Sequence, residues 1–501
     1  MPYIRKNHQV FIIPEREFAA DVIVFRRGEY AVAIDKYGNP ITISKDHAQV
    51  IQKALDYVAT SGGGKVFVGK GEYIINARDD PNDTSRAVGL FLPDCGVEIV
   101  GEDMTKTILK LRYTGARVRV DFISNRADTV DNPQIDGVVI KNLTLDGSLI
   151  DWYNWSAGTG TYKYGEGIRL GISKRYFTNL VIKNIIVRSF KTGWGVAIGY
   201  TPGTTRHEYI RLENIRGEDL GRGVTWVALA NYVKASNIYG KNIYVNSGDT
   251  TEAHVYAQES GLFAEIECIR GENVEKAIVN LASTLRCSVR GVKGIVSENG
   301  YLVRLINASS IQVSDVNGYA EVTNSGYGIY IENIASNSYW LEFHNIAVFG
   351  VKRVIYANPG DYTINNLSIV NIQSNKPAEF IKVNNLTIVG GRIYTGGTDI
   401  ILNNCSNVLL DLDYSTISKV GTVTFRRNSD IAVFSGDGTT TQFKIEHGLV
   451  AKPSKVIVTP LSADAKDFSY AEADDTYIYF NFSAAPPSGT DNVKLAWYAE
   501  V

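Results

Sequence analysis

The stretch from Asn345 to Leu410 decides the fold, because it repeats one short phrase four times: NIAV at 345–348, NLSI at 366–369, NLTI at 385–388 and NVLL at 407–410. Each phrase is an asparagine followed by three mostly apolar residues, and the intervals are 21, 19 and 22 residues. A period near twenty with a strand-forming unit is typical of a solenoid, whose turns bury their apolar faces only by stacking on one another. One phrase per turn predicts a parallel β-helix.

The same phrase occurs upstream with looser spacing, beginning at Asn142, Asn184, Asn214, Asn237 and Asn242. Longer intervals there, such as the 42 residues between the first two, indicate inserted loops or whole turns between recognisable units. An asparagine at equivalent corners can hydrogen-bond backbone left unpaired at the bend and stack on the asparagine of the next turn. We therefore interpret these asparagines as structural rather than catalytic.

Composition agrees with a large soluble β protein. The chain has 501 residues with 46 Gly and 29 Tyr, and its formal charge of −2 shows no bias toward nucleic acid or membranes, so we expect neither as a partner. Only six His and no Cys/His cluster favour a protein without a metal or other cofactor. Four cysteines in apolar, strand-like settings predict buried small hydrophobes rather than disulfides: Cys95, Cys268, Cys287 and Cys405.

The amino terminus shows no targeting signal. Met1 to Lys6 are not followed by an apolar run long enough for a signal peptide, and no segment is long enough to span a bilayer. We therefore expect neither export by the general secretory route nor membrane insertion.

One clear helix is predicted near the amino terminus. Asp46 can cap it, Gln49 follows three residues later, and Gly62 to Gly64 end it. Residues 65–75 then alternate as strand, turn and strand. An open solenoid end exposes unpaired strand edges, so we expect this helix to cover that end. Its apolar stripe consists of Val50, Ile51, Ala54, Leu55 and Val58.

Residues 46–75 carry a resemblance to a known family. The helix Ile-Gln-x-Ala-Leu, the run Gly-Gly-Gly-Lys-Val and the motif Gly-x-Gly-x-Tyr resemble the start of the pectate-lyase-like β-helix superfamily, which includes viral tailspikes and related archaeal and bacterial surface proteins. Residues 97–109 resemble that family's next turn. The resemblance covers residues 20 to 420 and implies an all-β, right-handed, single-stranded (pectin-lyase-like) parallel β-helix with an N-terminal capping helix. It does not fix the activity, because this scaffold serves lyases, hydrolases, epimerases and simple binders.

The sequence pattern changes at residue 430. Short strands with turn signals predict a small β-sandwich over 430–501. This stretch resembles the small carboxy-terminal domains of phage and archaeal-virus tail fibres, which implies a role in trimerising the shaft or contacting the host. The β-helix with its cap is predicted over 44–425. Residues 1–43 form an N-terminal segment whose short strands, near 11–14 and 22–25, we interpret as docking to a virion or another subunit.

Aromatic residues concentrate where the solenoid pattern is least regular. Residues 147–165 interrupt the phrase with a Trp- and Tyr-rich loop, and loops on a rigid scaffold are where function concentrates. Flat aromatic faces suit the apolar faces of sugar rings. We expect Trp152 and Trp155 to be exposed, whereas packing inside the turns is an open alternative for Trp194 and Trp226. The candidate carbohydrate-binding residues are Trp152, Tyr153, Trp155, Tyr162, Tyr164, Trp194 and Trp226.

Carboxylates on the same and following turns are the acid/base candidates. Glycoside hydrolysis needs one protonated and one ionised carboxyl group, and turns about 4.8 Å apart allow residues on adjacent turns to pair. We predict Asp219 with Asp249 or Glu267 as the catalytic pair. A lyase would instead use an Arg or Lys base, and no calcium-ligand cluster stands out for it. Further candidates are Asp146, Asp151, Glu166, Glu252 and Glu265, with Arg169, Arg206 and Arg222 as anion partners.

Three interpretations of function follow. The first is a viral tailspike or fibre: a homotrimeric receptor-binding protein on the virion that recognises, and in some relatives cleaves, a host-surface polysaccharide. The second is a free extracellular polysaccharide-degrading enzyme, a glycoside hydrolase or polysaccharide lyase. The third is a structural shaft protein without activity, which would leave the aromatic loop unexplained.

Overall fold

A computed structural model of the protein describes residues 3–6, 9–12, 20–126, 134–154, 157–172, 175–199, 206–246, 252–332, 340–413 and 416–501. The chain divides into two compact units. One unit contains Met1–Tyr330 and Ala347–Val354, and the other contains Ile331–Ile346 and Ile355–Val501. The candidate site described below lies entirely in the first unit.

The first strands of the chain pair locally and then join the solenoid. Strands β1 and β2 form an antiparallel pair of their own. Strand β3 pairs with β4 on one edge and with the first strand of the β-helix, at Gly64–Val68, on the other. The segment around residues 22–25 is therefore already paired on both edges within this chain, and its interpretation as a docking segment stays a prediction. These strands are β1 (Tyr3–Lys6), β2 (Gln9–Ile12), β3 (Val22–Arg27), β4 (Tyr30–Asp35) and β5 (Pro40–Ser44).

The predicted helix is present as α1, His47–Ala59, and it covers exposed backbone as expected. The Asp46 carboxylate accepts a hydrogen bond from the Gln49 amide at 3.3 Å, which confirms the predicted N-cap. Gln52 is buried and its side-chain amide pairs with both backbone groups of Phe91, at 2.9 and 3.0 Å. His47 Nδ1 accepts from the Ile74 amide at 3.0 Å. These side chains satisfy strand groups that would otherwise be unpaired.

Two parallel sheets build the β-helix of the first unit. The first sheet stacks β6, β10, β14, β17, β19, β21, β23, β25 and β27, and the second stacks β9, β12, β15, β18, β20, β22, β24 and β26. The strands are β6 (Gly64–Val68), β7 (Gly71–Asn76), β8 (Arg78–Asp79), β9 (Arg86–Leu92), β10 (Val97–Gly101), β11 (Thr107–Arg112), β12 (Arg119–Asn125), β13 (Gln134–Asp136), β14 (Val139–Asp146), β15 (Ile168–Leu170), β16 (Tyr176–Thr178), β17 (Val181–Arg188), β18 (Trp194–Ile198), β19 (His207–Leu220), β20 (Gly223–Ala228), β21 (Ala230–Ile243), β22 (His254–Glu259), β23 (Leu262–Val274), β24 (Ala277–Ala282), β25 (Leu285–Val296), β26 (Tyr301–Ile306), β27 (Ser309–Ala320) and β28 (Tyr327–Glu332).

Asparagines turn the corners of the first sheet. Asn142, Asn184 and Asn214 have φ of 61°, 53° and 53°, the left-handed region that Asn tolerates better than most residues. Asn184 donates to the side chain of Asn142, and Asn214 donates to that of Asn184, each at 2.8 Å. The predicted asparagine ladder is therefore confirmed. Asn237 and Cys268 continue the row with φ of 55° and 56°.

The interior is a set of aliphatic stacks. Ile185, Ile215, Ile238, Ile269 and Val292 lie opposite one another on successive strands, and each is almost fully buried. Because the same position of every turn faces inward, one column of branched side chains fills the core along the axis.

A second corner row is aromatic and exposed. Tyr209 stacks on Tyr232 at 5.1 Å between ring centroids, Tyr232 stacks on Phe263 at 5.3 Å, and Arg286 lies 5.3 Å over the Phe263 ring. The rings are within 8° of parallel. Their faces are therefore occupied by one another, and mainly their edges face solvent.

The second unit contains further parallel turns and two antiparallel sheets. Strands β31, β33 and β35 pair in parallel, as do β30, β32, β34 and β36. The strands are β29 (Trp340–Phe349), β30 (Arg353–Asn358), β31 (Asn366–Ser374), β32 (Ala378–Ile381), β33 (Leu386–Ile393), β34 (Ile400–Asn403), β35 (Leu409–Asp413), β36 (Ile417–Val420), β37 (Arg427–Phe434), β38 (Gln442–Glu446), β39 (Lys455–Pro460), β40 (Phe468–Ala473), β41 (Tyr477–Phe482) and β42 (Val493–Glu500).

The four repeated phrases are not all equivalent in the structure. Asn385 donates to Asn366 and Asn407 donates to Asn385, so these three form one ladder as predicted. Asn345 instead accepts from Asn371, which lies five residues beyond Asn366. The first phrase therefore occupies a different corner of its turn, and the interval of 21 residues does not measure a repeat.

The carboxy-terminal strands form two three-stranded antiparallel sheets in the orders β37-β42-β39 and β38-β41-β40. Phe434 of the first sheet contacts Phe443 and Phe480 of the second, at 4.9 and 5.8 Å between ring centroids. The sheets thus share an aromatic core, as in a β-sandwich. The domain boundaries given above stay predictions.

Cysteine burial differs from the expectation at two of the four positions. Cys287 and Cys405 are buried, whereas Cys95 is half-buried and Cys268 is exposed, because it occupies a corner position of the asparagine row. Among the described residues, no group of three or more His, Cys, Asp or Glu side chains is arranged to hold a metal ion. Within the same residues, no helix has the length and apolar character needed to cross a bilayer.

Candidate carbohydrate-binding cleft

A cleft of about 200 Å³ lies on the outer face of the second sheet. Residues opposite one another on neighbouring parallel strands point to the same face of the sheet, so equivalent positions on successive strands form rows across the cleft. One row carries Arg169, Ala197, Trp226 and Ala257 on β15, β18, β20 and β22. The cleft is lined by Arg119, Tyr164, Glu166, Arg169, Thr192, Trp194, Arg222, Trp226 and Glu252.

A pair of carboxyl groups lies at one end of the cleft. Asp121 on β12 and Glu166, just before β15, occupy neighbouring turns, and their side chains are hydrogen-bonded to each other. The Glu166 amide also donates to Asp121 Oδ1 at 3.1 Å. Glu166 lines the cleft, whereas Asp121 is fully buried behind it.

Two arginines hold this carboxyl pair in place. Arg119 donates through Nε to Asp121 Oδ2 at 3.1 Å and through Nη2 to Glu166. The buried Arg86 approaches Asp121 at 3.7 Å and is itself paired with Asp80. Buried charges persist only when they are paired and hydrogen-bonded in this way.

The two carboxyl groups differ in proton affinity. Burial raises the pKa of Asp121 to about 6, an effect that the Arg119 charge opposes and the Glu166 charge reinforces. Burial also raises the pKa of Glu166, but the Coulombic attraction of Arg119 and Arg169 outweighs it and lowers the pKa to about 2. The pair therefore holds a single proton at mildly acidic pH, shared across one hydrogen bond. A carboxyl group that keeps its proton at mildly acidic pH is what general acid catalysis requires.

Aromatic and cationic side chains form the floor of the cleft. The rings of Trp194 and Trp226 stack at 6.5 Å between centroids, and Trp194 packs against Ala197 and Ala257. The guanidinium of Arg169 lies 5.3 Å over the Trp226 ring. Trp194 is almost fully buried, while Trp226 stays partly exposed. Trp226 is thus the tryptophan that offers surface to a ligand.

A second carboxylate, Glu252, lines the same cleft. Glu252 forms an ion pair with Arg222 at 3.1 Å, and both side chains line the cleft. The Arg222 charge also lowers the pKa of Glu166, after larger contributions from burial and from Arg119 and Arg169. Arg222 therefore influences both carboxylates electrostatically.

Asp219 and Glu267, one alternative for the predicted catalytic pair, are not brought together. Asp219 is a corner residue with φ of 54° and accepts a hydrogen bond from Asn242 at 3.0 Å, so it is the first member of a second corner ladder. Glu267 lies opposite Ser236, which in turn lies opposite Glu213. Glu267 is therefore two turns from Asp219 and six positions away along the strand. The third member, Asp249, lies outside the described residues.

Two other carboxylate candidates have structural partners. Asp146 is buried and accepts two hydrogen bonds from Arg188, at 2.8 and 3.0 Å. Burial raises the pKa of Asp146, but hydrogen bonds from Ser148 and the Arg188 charge lower it overall. Asp151 accepts from Thr161 Oγ1 at 2.7 Å across the loop. Neither lines the cleft, nor does Glu265, which pairs with Lys234 at 3.2 Å.

The aromatic loop is placed differently from the expectation. Trp152 is 8% exposed, because its indole packs 5.6 Å from Phe190 and donates to the Gly147 carbonyl. Its predicted exposure is therefore wrong. Tyr162 is also buried, and its hydroxyl donates to backbone carbonyls. Tyr153 is half-buried with Lys163 over its ring, and Trp155 lies outside the described residues.

The structure gathers seven sequence-predicted residues at the cleft: Tyr164, Glu166, Arg169, Trp194, Arg222, Trp226 and Glu252. The sequence did not single out Asp121, Arg119 or Thr192. Asp121 lies within the apolar strand Val120-Asp121-Phe122-Ile123, where an isolated charge surrounded by buried residues was the available signal. Its partner is 45 residues later in the chain, so only strand register reveals the pair.

Comparison with known proteins places the fold. No protein family model matches the chain. The mannuronan C5-epimerases AlgE3 and AlgE4 of Azotobacter vinelandii are each 30% identical to it, over 105 and 106 residues, or 21% of the chain. The matched stretch spans only 5% of AlgE3 and 17% of AlgE4.

Solved structures extend the likeness over most of the chain. A double-mutant tailspike protein of E. coli bacteriophage HK620, in complex with a pentasaccharide, has a TM-score of 0.55 and 13% identity, covering 93% of this chain and 92% of that chain. Another mutant of that tailspike, in complex with a hexasaccharide, has a TM-score of 0.52 and 13% identity, with 93% and 91% covered. The protein is therefore an all-β parallel β-helix protein with the fold of phage tailspikes.

Proposed function

We propose that the protein is a tailspike-type receptor-binding protein that recognises a host-surface polysaccharide through the cleft on its second sheet. The observation that carries the proposal is the combination, in one cleft, of a partly exposed Trp226 ring and a buttressed carboxyl pair, on a β-helix that resembles tailspikes solved with oligosaccharides. Aromatic faces bind sugar rings, and charged groups at their edges orient the hydroxyls.

Cleavage of the bound glycan is the second part of the proposal. Asp121 holds the proton, and Glu166, which lines the cleft and is hydrogen-bonded to Asp121, passes that proton to a glycosidic oxygen while Asp121 is left ionised. Glu252, which lines the same cleft and is ion-paired with Arg222, supplies the ionised carboxylate, as the nucleophile or as the base for water. The reaction class is glycoside hydrolysis, which replaces the predicted pair Asp219 and Glu267 with Glu166 and Glu252.

The test is binding and cleavage on a panel of microbial surface polysaccharides. We expect Trp226→Ala to weaken retention of the bound glycan about tenfold, equivalent to about 1.4 kcal/mol. Tyr209→Ala is the matched control, since that ring is exposed but its face is covered by Tyr232. If both variants lost glycan retention equally, or if neither lost any, the cleft would not be the binding site.

Newly released reducing ends separate binding from hydrolysis. Glu166→Gln and Glu252→Gln should each abolish release of ends while leaving retention of the glycan largely intact, because an amide keeps the shape but cannot transfer a proton or carry charge. Release of unsaturated ends by the unchanged protein would indicate elimination instead. Retention without any new ends would leave an attachment protein.

Assembly and location form the third part. We propose a homotrimer on the virion tail, with residues 1–43 toward the particle. A largely apolar outer face on the β37-β42-β39 sheet supports self-association. On β37, Ile431 and Val433 lie opposite Ala496 and Lys494 of β42. On the other side of β42, Ile457 of β39 and Leu461, just after β39, belong to the same sheet. Ile431 and Leu461 are each about half exposed, at 53% and 51%. Further copies of the same chain are the occupants that this face would receive.

A free polysaccharide-degrading enzyme is the second candidate function. The carboxyl pair favours it as strongly as it favours a cleaving tailspike. A monomeric mass in solution together with glycan cleavage would select this alternative.

A further inference from the structure

Three polar atoms in the cleft are buried without a hydrogen-bond partner. They are Arg169 Nε, Thr192 Oγ1 and Trp226 Nε1, and all three side chains line the same 200 Å³ space. Buried polar groups in proteins are nearly always paired, so unpaired groups that converge on one cavity indicate a binding site for a polar ligand. Their convergence on the Trp226 floor places that ligand in the sugar-binding cleft.

The unpaired atoms are mainly donors. Arginine and tryptophan side chains donate hydrogen bonds and accept none, while the threonine hydroxyl does both. A ligand that satisfies them must present acceptor oxygens. A carboxylate has two acceptor oxygens and no donor, and it therefore fits this set better than a sugar hydroxyl.

Charge in the cleft points the same way. The arginines that line it are Arg119, Arg169 and Arg222, against the carboxylates of Glu166 and Glu252. Arg119 and Arg222 are engaged with those carboxylates. Arg169 makes no ion pair within 4.0 Å among the described residues, and its planar group rests on the Trp226 ring. Burial lowers the pKa of Arg169, and the Arg119 charge lowers it further after the opposing effect of Glu166, so an added anion would relieve the unfavourable burial of this cation.

We infer that Arg169, Trp226 Nε1 and Thr192 form a subsite for the carboxylate of an acidic sugar, so that the recognised polysaccharide contains uronic acid or an equivalent carboxylated residue. The inference rests on the proposed glycan-binding function and adds the substrate class. The sugar ring lies against the exposed part of Trp226, and its carboxylate reaches the guanidinium edge of Arg169. A neutral sugar would leave Arg169 with the through-space attraction of Glu166 and Asp121 but without a direct ion pair in a buried setting.

The first experiment compares each bound polysaccharide with its carboxyl-reduced form. Reduction converts the carboxylate to a primary alcohol and leaves the backbone unchanged. We expect the unchanged protein to lose at least tenfold in affinity for the reduced form. Equal affinity for both forms, or selection of neutral polysaccharides only, would overturn the carboxylate subsite while leaving the proposed glycan-binding function intact.

Arg169→Gln tests the residue assignment. This variant should bind the native and the carboxyl-reduced polysaccharide with equal, weak affinity. Arg304→Gln is the matched control, since Arg304 lies on the same outer row of the second sheet and stacks on Tyr301 at 5.3 Å, outside the cleft. It should keep the full preference for the native form. A preference that survives in Arg169→Gln, with an unchanged thermal midpoint, would contradict the assignment.

A monosaccharide titration tests the subsite even when no polysaccharide of the panel binds. Sodium D-glucuronate should change tryptophan fluorescence saturably, whereas D-glucose at equal concentration should not, because the anion lands beside Trp226. Trp226→Phe should remove the signal, and Arg169→Gln should weaken it at least tenfold. No saturable signal, or identical responses to glucuronate and glucose, would overturn the inference independently of the proposed function.

Discussion

Asp121 and Glu166 show how much one residue's surroundings decide its chemistry. Both are carboxylic acids on neighbouring turns, yet burial keeps the proton on Asp121 while arginines keep Glu166 ionised. The sequence marks Glu166 as one of many acidic residues near an aromatic loop. It gives no reason to choose it over Asp219, because the difference depends on neighbours from another turn, such as Arg119, which lies 47 residues before Glu166 in the chain.

The carboxyl pair predicts a specific dependence of stability on pH. The pKa of Asp121 is raised in the folded state from its ordinary value of 3.8 to about 6, so the folded protein binds more protons in that window and its stability falls as pH rises from about 4 to 6. Glu166 has the opposite sign: its pKa is lowered from 4.5 to about 2, so its contribution to stability grows as pH rises through that range. We expect Asp121→Asn to remove the decline between pH 4 and 6.

Thermal midpoints measured at pH 4, 5, 6 and 7 check this expectation. Glu265→Gln, which removes an exposed acid paired with Lys234, serves as the control and should keep the decline. An Asp121→Asn protein whose midpoint falls with pH as steeply as that of the unchanged protein would rule out Asp121 as the proton holder.

At the scale of elements, the residues at the bends of the β-helix determine how successive turns align. The sequence predicted the asparagine ladder correctly, because Asn is one of the few residues that tolerate left-handed backbone and also hydrogen-bond to a copy of themselves. It misplaced Asn345, since a phrase of four residues does not show which of several corners in a turn it occupies. Only the structure, in which Asn371 donates a hydrogen bond to Asn345, shows which corner Asn345 occupies.

The ladder predicts different costs for two substitutions at one corner. Asn184→Ala removes hydrogen bonds to Asn142 and Asn214 and places a residue with a β-carbon at φ of 53°. Asn184→Gly loses the same bonds but adopts that backbone freely. We expect Ala to be more destabilising than Gly by about 1 kcal/mol in urea unfolding. Asn317→Ala, at an exposed strand position, should be nearly neutral, and an equal cost for all three would discount the corner conformation.

The capping helix predicts a local opening when its buried amide is removed. Gln52→Ala leaves both backbone groups of Phe91 unpaired, which costs about 1–3 kcal/mol. Hydrogen exchange of the Phe91 amide should accelerate, while Lys53→Ala on the exposed side of α1 should leave it unchanged. Unaltered exchange in Gln52→Ala would show that water replaces the glutamine without loss.

The helix itself was predictable because its signals are local. Asp46, Gln49 and the apolar stripe lie within thirteen residues of one another, so no long-range contact is needed to read them. Exposure in the aromatic loop was not predictable in this way. Trp152 lies in a polar stretch, but the ring turns back onto Phe190, a residue 38 positions later.

At the scale of the whole molecule, the proposed assembly makes a prediction about mass. If three copies associate through the β37-β42-β39 face, light scattering should give three times 55.2 kDa for the unchanged protein. Ile431→Asp places a charge at the centre of that face and should release 55.2 kDa monomers. Ile43→Asp, at a comparably exposed position on β5, should stay trimeric. An unchanged protein that runs as a monomer would remove the trimer.

The capping helix has a further consequence for polymerisation. In a parallel solenoid every strand edge is a template for the next turn, so an uncovered end can seed growth from another chain as readily as from its own. Such a contact is head-to-tail and never closes, and it therefore yields fibrils of indefinite length. Because the Gln52 side chain of α1 hydrogen-bonds to the backbone N–H and C=O of Phe91, those groups cannot pair with a strand of another chain. A protein opened at this helix should aggregate as ordered filaments rather than simply unfold.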